Sequence, residues 1–207
     1  MTSDTSSLLA TADKRMPELA LHLILESIRD VAGSRYGKVL ETAGLTRYLD
    51  APPPADQTSN VTGHELARLY GATYQVMGES LTRLFLTNYG RKLPDTLLAS
   101  PWGHEMVEKA SQAPPSERLG TAVRLIAETS SKVWGEQSVS EDTVAFYLEV
   151  RNCAVCREMR NVRSPICASN EYFFGAVARA LTGVRVTALE VECTAQGASC
   201  CKFRLRK

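Results

Sequence analysis

Apolar positions along the chain change period once, near Gly135. Before it the spacing is helical. From Glu18 to Val31, apolar side chains (Leu19, Leu21, Leu23, Ile24, Leu25, Ile28 and Val31) cover nearly every side of one helix. That pattern predicts burial against more than one neighbour, a second subunit among them. Gly33-Ser34 breaks the run, and a shorter helix is expected from Tyr36 to Ala43, stopped by Gly44. The prolines at 52–54 read as an extended linker. Thr62 with Glu65 three residues on forms a capping box, and helical spacing then runs from Leu66 through Tyr70, Met77 and Phe85 to about Asn88. Pro94 and Pro101 are expected to bracket a loop. One short helix is expected from Trp102 to Ala110, and another after Pro114-Pro115 with Leu119, Val123, Ile126 and Val133 on one face.

After Gly135 the period falls to two. Thr143 to Arg151 alternates, with Val144, Phe146, Leu148 and Val150 on one side and Ala145, Tyr147 and Glu149 on the other. Arg157 to Pro165 reads as loop, and Pro165 to Thr182 as a helix capped by Gly183. Val184 to Cys193 and Ser199 to Arg206 alternate again around a Gln196-Gly197 turn, which makes a C-terminal hairpin. Segregated helices and antiparallel strands imply an α+β fold. Residues 1–15 read as a disordered leader, 16–115 as a helical N-terminal region and 116–207 as an α+β ligand-binding domain.

Strand parity sorts the cysteines. Cys201, Phe203 and Leu205 share one face, and Cys200, Lys202, Arg204 and Arg206 the other. Cys193 falls on the face of Leu189 and Val191. The hairpin therefore turns Cys193 and Cys201 inward and leaves Cys200 among exposed charges. Two inward thiols are either small buried hydrophobes or half of a metal site. Cys153-Ala154-Val155-Cys156 follows the strand directly; its thiols either join Cys167 on a metal or simply end the strand. A thioredoxin motif would need a helix there.

The residues Glu190, Cys193, Ala195, Gly197, Cys201 and Phe203 set out the pattern E-x-x-C-x-A-x-G-x-x-x-C-x-F. It resembles the end of the 4-vinyl reductase domain family, which includes bacteriochlorophyll-synthesis accessory proteins and the aromatic-sensing domains of phenol-responsive activators. Ala43-Gly44-Leu45, the proline-rich linker and Gly90-Arg91 extend the resemblance less specifically. In the sensors a structural zinc is held by three cysteines and a glutamate. The resemblance thus implies zinc on Cys167, Glu190, Cys193 and Cys201. Parity alone puts Glu190 opposite Cys193, so Glu190 reaches a metal only through a bulge or twist.

Composition narrows the classes. A net charge of +1 with both signs interspersed argues against a nucleic-acid footprint. No apolar run is long enough for a membrane span, and residues 1–14 lack a signal-peptide pattern, so a cytoplasmic chain is expected. In that compartment the six cysteines read as thiols or ligands before disulfides. No dinucleotide fingerprint, P-loop or H-E-x-x-H is present, and His22, His64 and His104 are isolated. A metal closed by four protein ligands is structural before it is catalytic.

Together these features favour a zinc-stabilised module that binds a hydrophobic small molecule (aromatic, lipid or tetrapyrrole) as sensor or carrier, and a homodimer. Tyr70, Tyr74, Met77, Phe85, Trp134, Phe146 and Tyr147 are the candidate pocket residues. The alternative, implied by the bacteriochlorophyll branch of the family, is an enzyme or accessory protein in tetrapyrrole vinyl reduction.

Overall fold

A computed structural model describes residues 15–16, 18–50, 53 and 61–207. The expected leader apart from Arg15, the helix-start proline Pro17, and the linker prolines Pro52 and Pro54 lie outside the described residues. The fold is α+β: six helices and six strands among the described residues.

Helix α1 (Glu18–Ala32) buries Leu21, Ile24, Leu25 and Ile28 against α3 (Gly63–Leu98). Between them α2 (Tyr36–Ala43) ends where the periodicity requires, with Gly44 at φ 69° accepting the left-handed cap. A two-residue strand β1 (Arg15–Met16) pairs antiparallel with β2 (Val61–Thr62). Thr62 then caps α3: its hydroxyl accepts from Glu65 N–H, and the Glu65 carboxylate accepts from Thr62 N–H at 3.1 Å.

Helix α3 differs from expectation in two ways. It runs ten residues past Asn88, straight through Pro94, so the expected loop at Pro94 is corrected to helix. Leu93 and Pro94 are both buried there, and tertiary packing outweighs the one backbone hydrogen bond a proline removes. It is also broken at Gly78, whose backbone (φ 78°, ψ 175°) is not helical. The break turns the second half so that Gly90 lies on α6 (Ala168–Thr182), where an added Cβ would stand 2.6 Å from the Ser169 backbone.

Helices α4 (Pro101–Ser111) and α5 (Arg118–Trp134) lead to a four-stranded antiparallel sheet. Its strands are β3 (Glu136–Glu141), β4 (Ala145–Arg151), β5 (Ala188–Glu192) and β6 (Cys201–Arg206), in the order β3-β4-β6-β5. Strand β3 departs from expectation: it is a polar edge strand, with no apolar alternation to betray it. Helices α5 and α6 cover the inner face, where Phe146, Leu148, Val150, Cys201, Phe203 and Leu205 are buried. One apolar cluster runs from α1 through α3 and α6 to this sheet.

Candidate metal centre and aromatic core

The centre is assembled by three local devices. The first is at the end of β4, where Asn152 takes a left-handed φ of 52° and sends the chain into two successive turns. Arg157 N–H reaches Cys153 O and Met159 N–H reaches Cys156 O, so both cysteines of the C-x-x-C point inward from a wound segment. The second is the entrance to α6. Cys167 is the residue that precedes the helix rather than one inside its first turn, and Asn170 N–H and Glu171 N–H both bond its carbonyl.

The third device is a bulge in β5. Glu190 pairs with Phe203, yet Glu192 pairs with Lys202, so Val191 is an extra residue. The insertion resets the parity and brings Glu190 and Cys193 to the same inner side. It also overturns the expected face of Cys193: Leu189 (47% exposed) and Val191 (39% exposed) look outward while Cys193 is buried. Cys200 is a second correction. It precedes β6 and is buried, at 8% exposure, because the turn there departs from strand parity.

Cys167, Glu190, Cys193 and Cys201 therefore come together, with their ligand atoms all within 4.8 Å of one another. Cys153 and Cys156 join Cys167 and Cys201 in a second group of the same compactness. The Sγ atoms of Cys153 and Cys167 are 3.8 Å apart, those of Cys167 and Cys201 3.9 Å, those of Cys156 and Cys201 3.3 Å and those of Cys193 and Cys156 4.0 Å. Tetrahedral ligands at the usual zinc–sulfur length of 2.3 Å are about 3.8 Å apart. All six cysteines are free thiols.

Around the sulfurs stand hydrogen-bond donors. Thr194 N–H points at Cys201 Sγ (3.4 Å), Thr194 Oγ1 lies 3.0 Å from Cys156 Sγ, and Asn170 Nδ2 is 3.9 Å from Cys153 Sγ. Cys167 N–H donates to Glu190 Oε2 at 2.8 Å, while the buried Glu190 Oε1 has no partner. Behind it, Glu190 N–H donates to Glu171, whose carboxylate faces Arg83, and Arg83 also bonds the Pro165 carbonyl.

Burial, then the negative charge of Cys193 and Cys153, pushes the Glu190 carboxyl up to about 10. Burial first and the surrounding thiols next push Cys167 well up, whereas hydrogen bonds from neighbouring thiols bring Cys201 down to about 6 and Cys193 to about 7. So many acidic groups in one dry volume cannot all ionise alone; a cation replaces their protons. An unpaired carboxylate oxygen beside converging sulfurs suits a thiophilic divalent ion. Zinc, which the resemblance implies, fits these residues. A buried cluster that can hold a metal ion is thus present.

The candidate pocket residues separate. Tyr70 and Phe85 stack at 5.9 Å across the break in α3. Met77 is buried beside that break, and the Tyr74 hydroxyl lies 3.5 Å from the Arg160 carbonyl. Trp134 sits on Phe173 at 4.7 Å, in a chain of edge contacts through Phe174 to Phe203. Phe146 packs near Gly120 of α5. Tyr147 lies on the outer sheet face, bonded to Asp142 at 2.9 Å with Lys202 over its ring, and does not meet the others.

Tyr89, which helical spacing does not single out, is fully buried on α3; its hydroxyl, those of Tyr70, Ser27 and Thr82, and Trp134 Nε1 lack partners. Burial first, then the neighbouring Tyr89, pushes the Tyr70 phenol well up, so the two hydroxyls are neighbours that do not close a hydrogen bond. A cleft of about 490 Å³ between α6 and β5 is lined instead by Arg83, Thr87, Glu171, Arg179 and Arg185. Among the histidines, His22 is half-buried with Nδ1 3.2 Å from the Pro53 carbonyl; His64 and His104 are exposed.

The geometry defines a helical cap over a small antiparallel sheet closed by a buried thiol–carboxylate cluster. Residues 146–207 match the model of the vinyl-4-reductase (4VR) domain, so the C-terminal part of the chain carries the domain that the cysteine pattern resembles. The whole-chain fold is shared with solved H-NOX domains. One, from work on heme distortion in the H-NOX family, is 13% identical with TM-score 0.52, covering 92% of this chain and 94% of its own. Another, the H-NOX protein of S. oneidensis in its Fe(II)NO state, is 10% identical with TM-score 0.52, covering 93% and 99%. The phenol-bound sensory domain of the transcription activator PoxR is also similar, at 14% identity and TM-score 0.47, over 72% of this chain and 77% of that one. No curated protein matches the chain. No helix among the described residues is long and apolar enough to cross a membrane.

Proposed function

We propose that this chain is a small-molecule-sensing module: a zinc-stabilised 4VR domain under a helical cap that binds a hydrophobic ligand with one polar end and leaves it unchanged. The domain match and the shared fold support the sensing class. One observation carries the ligand: the fully buried hydroxyls of Tyr70 and Tyr89 have no partner. Buried polar groups are nearly always paired, and an unpaired one costs about 1–3 kcal/mol. A phenol-like or carbonyl-bearing ligand between them would supply the missing partner and place its apolar body among Phe85, Met77 and their neighbours. Zinc on Cys167, Glu190, Cys193 and Cys201 would hold β5, β6 and the start of α6 together, and four protein ligands leave no position for a reacting water. The exposed Leu189 and Val191 on edge strand β5 support a homodimer.

The test is a thermal-shift panel of phenols, fatty acids and porphyrin intermediates on wild type and Tyr70→Phe. A ligand that binds only the folded state raises Tm, by about 2.7 kcal/mol of stabilisation at a hundredfold excess over Kd. Tyr70→Phe should leave the ligand-free protein as stable or slightly more so, and shrink the shift given by the polar-ended ligand. A compound recovered chemically altered, above all a divinyl tetrapyrrole reduced with an added electron donor, would replace the binding module with an enzyme. An equal shift in both proteins would remove Tyr70 from the pocket.

A further inference from the structure

The cluster has six donors, and a single four-coordinate zinc would use only four of them. They fall into two compact groups: Cys153, Cys156, Cys167 and Cys201, and Cys167, Glu190, Cys193 and Cys201. Each group is a complete set for a tetrahedral ion. They share two members, Cys167 and Cys201, and no others.

The geometry points to a dinuclear centre, in which Cys167 and Cys201 bridge two divalent thiophilic cations, Cys153 and Cys156 complete one, and Glu190 and Cys193 complete the other. This deepens the zinc reading above and rests on it. Three observations carry it. The shared sulfurs stand 3.9 Å apart, close to the edge of a zinc tetrahedron of about 3.8 Å, so both can serve both ions. The outer pair on each side is distinct in chemistry, two thiols against a thiol and a carboxylate, and each carries an independent cue. On the thiol side, Thr194 Oγ1 lies 3.0 Å from Cys156 and the Asn170 amide 3.9 Å from Cys153, the surroundings of thiolates and not of spectator thiols. On the carboxylate side, Glu190 Oε1 is buried without a partner.

Charge favours the same count. One divalent ion leaves either two buried protonated thiols pressed on a bound metal or a strongly negative dry cluster. Two ions displace six protons, five from thiols and one from the carboxyl, and leave a residual charge of −2. The Thr194 and Cys167 backbone N–H groups, on Cys201 and Glu190, lie where that charge would fall. The binding is a substitution of metal for protons, with no change of oxidation state.

Full-length protein purified under reducing conditions with zinc should carry two zinc ions per chain by elemental analysis and native mass spectrometry. Cys153→Ser and Cys193→Ser should each retain one, and Cys201→Ser none. The wild-type count needs no variant to fold. Loaded with cadmium-113, the wild type should give two resonances coupled through the shared sulfurs, one of an all-sulfur site and one of a mixed sulfur–oxygen site. One zinc per chain, a single cadmium resonance, or two resonances without coupling would each overturn the bridged centre while leaving a structural metal intact. No bound zinc would overturn the zinc reading itself.

Discussion

The thiol cluster and the tyrosine-lined core of α3 are equally buried, and they treat polar atoms in opposite ways. In the cluster, polar groups converge: sulfurs lie 3.3–4.0 Å apart, and backbone and side-chain donors reach Cys201, Glu190 and Cys153. Around Tyr70 and Tyr89 they are dispersed, and the hydroxyls of both tyrosines, with those of Ser27 and Thr82, have no partner. Converging acids make a volume that needs positive charge before it can be stable. Scattered unpaired hydroxyls among apolar walls need only a hydrogen-bonding partner, which a neutral ligand supplies. The same condition of burial thus points to a cation in one region and to a ligand in the other.

The largest test of this contrast is Cys201→Ser. A hydroxyl is a poor zinc ligand, and metal binding is coupled to folding, so about 4 kcal/mol or more should be lost. At roughly 2–4 °C per kcal/mol for a chain of this size, Tm should fall by about 8–16 °C. Denaturant unfolding with and without a chelator checks it: the wild type should drop toward the variant, and the variant should not respond. Equal stability in all four measurements would mean that the cluster is ordinary core.

Next comes Gly90→Ala, at the seam between the two regions. Its new Cβ would meet the Ser169 backbone at 2.6 Å, one residue from Asn170, and backbone cannot swing aside. Separating α3 from α6 should cost about 1–3 kcal/mol, read by denaturant unfolding, with zinc retained. Loss of zinc at that cost would show that the regions are not separable.

Much of this is legible in the residues, for local reasons. Gly44, the Thr62–Glu65 capping box and the inward row Cys201, Phe203 and Leu205 follow from rules that act within a few residues, and all three are present. The Glu190 side chain faces inward only because Val191 is an extra residue in the ladder, and a bulge leaves no periodic trace. Strand β3 is polar because it is an edge. The helix through Pro94 and the break at Gly78 are set by what α3 packs against, not by its own sequence. Cys153 and Cys156 stand out as a C-x-x-C, but their approach to Cys201, 45 residues from Cys156, is tertiary. The candidate aromatics can be picked out one by one, and spacing along a helix does not say which will face each other.

Cys200 sharpens the border of the cluster. It is buried, and burial, followed by the charges of Glu149 and Glu192, raises its thiol pKa, yet it belongs to neither ligand group. Cys200→Ser should therefore cost about 1 kcal/mol, more than an exposed change, while the zinc content stays at the wild-type value. Parallel loss of metal in elemental analysis would extend the centre to a seventh donor.

The smallest effect is expected where the two regions touch through solvent. Glu79, just after the break in α3, accepts from Arg163 N–H at 3.0 Å and Ser164 N–H at 3.2 Å, on the loop that leads to Cys167. The Arg163 N–H chiefly, with help from Ser164, holds the Glu79 carboxyl below its ordinary value of 4.5. A folded-state value below the unfolded one means stability that is fully present above about pH 4.5 and is lost as the pH falls through the lowered value. The group is largely solvent-exposed, so screening reduces its worth to a fraction of a kcal/mol. Glu79→Gln keeps one acceptor and removes the charge. It should lower stability slightly at pH 7, flatten that part of the acid limb, and leave the zinc count alone. Amide hydrogen exchange at Arg163 and Ser164 is the sensitive readout, and it should rise there while the amide of Thr194, deep in the cluster, stays protected. Faster exchange at Thr194 as well would mean that the cluster depends on the helical half even for its innermost contacts.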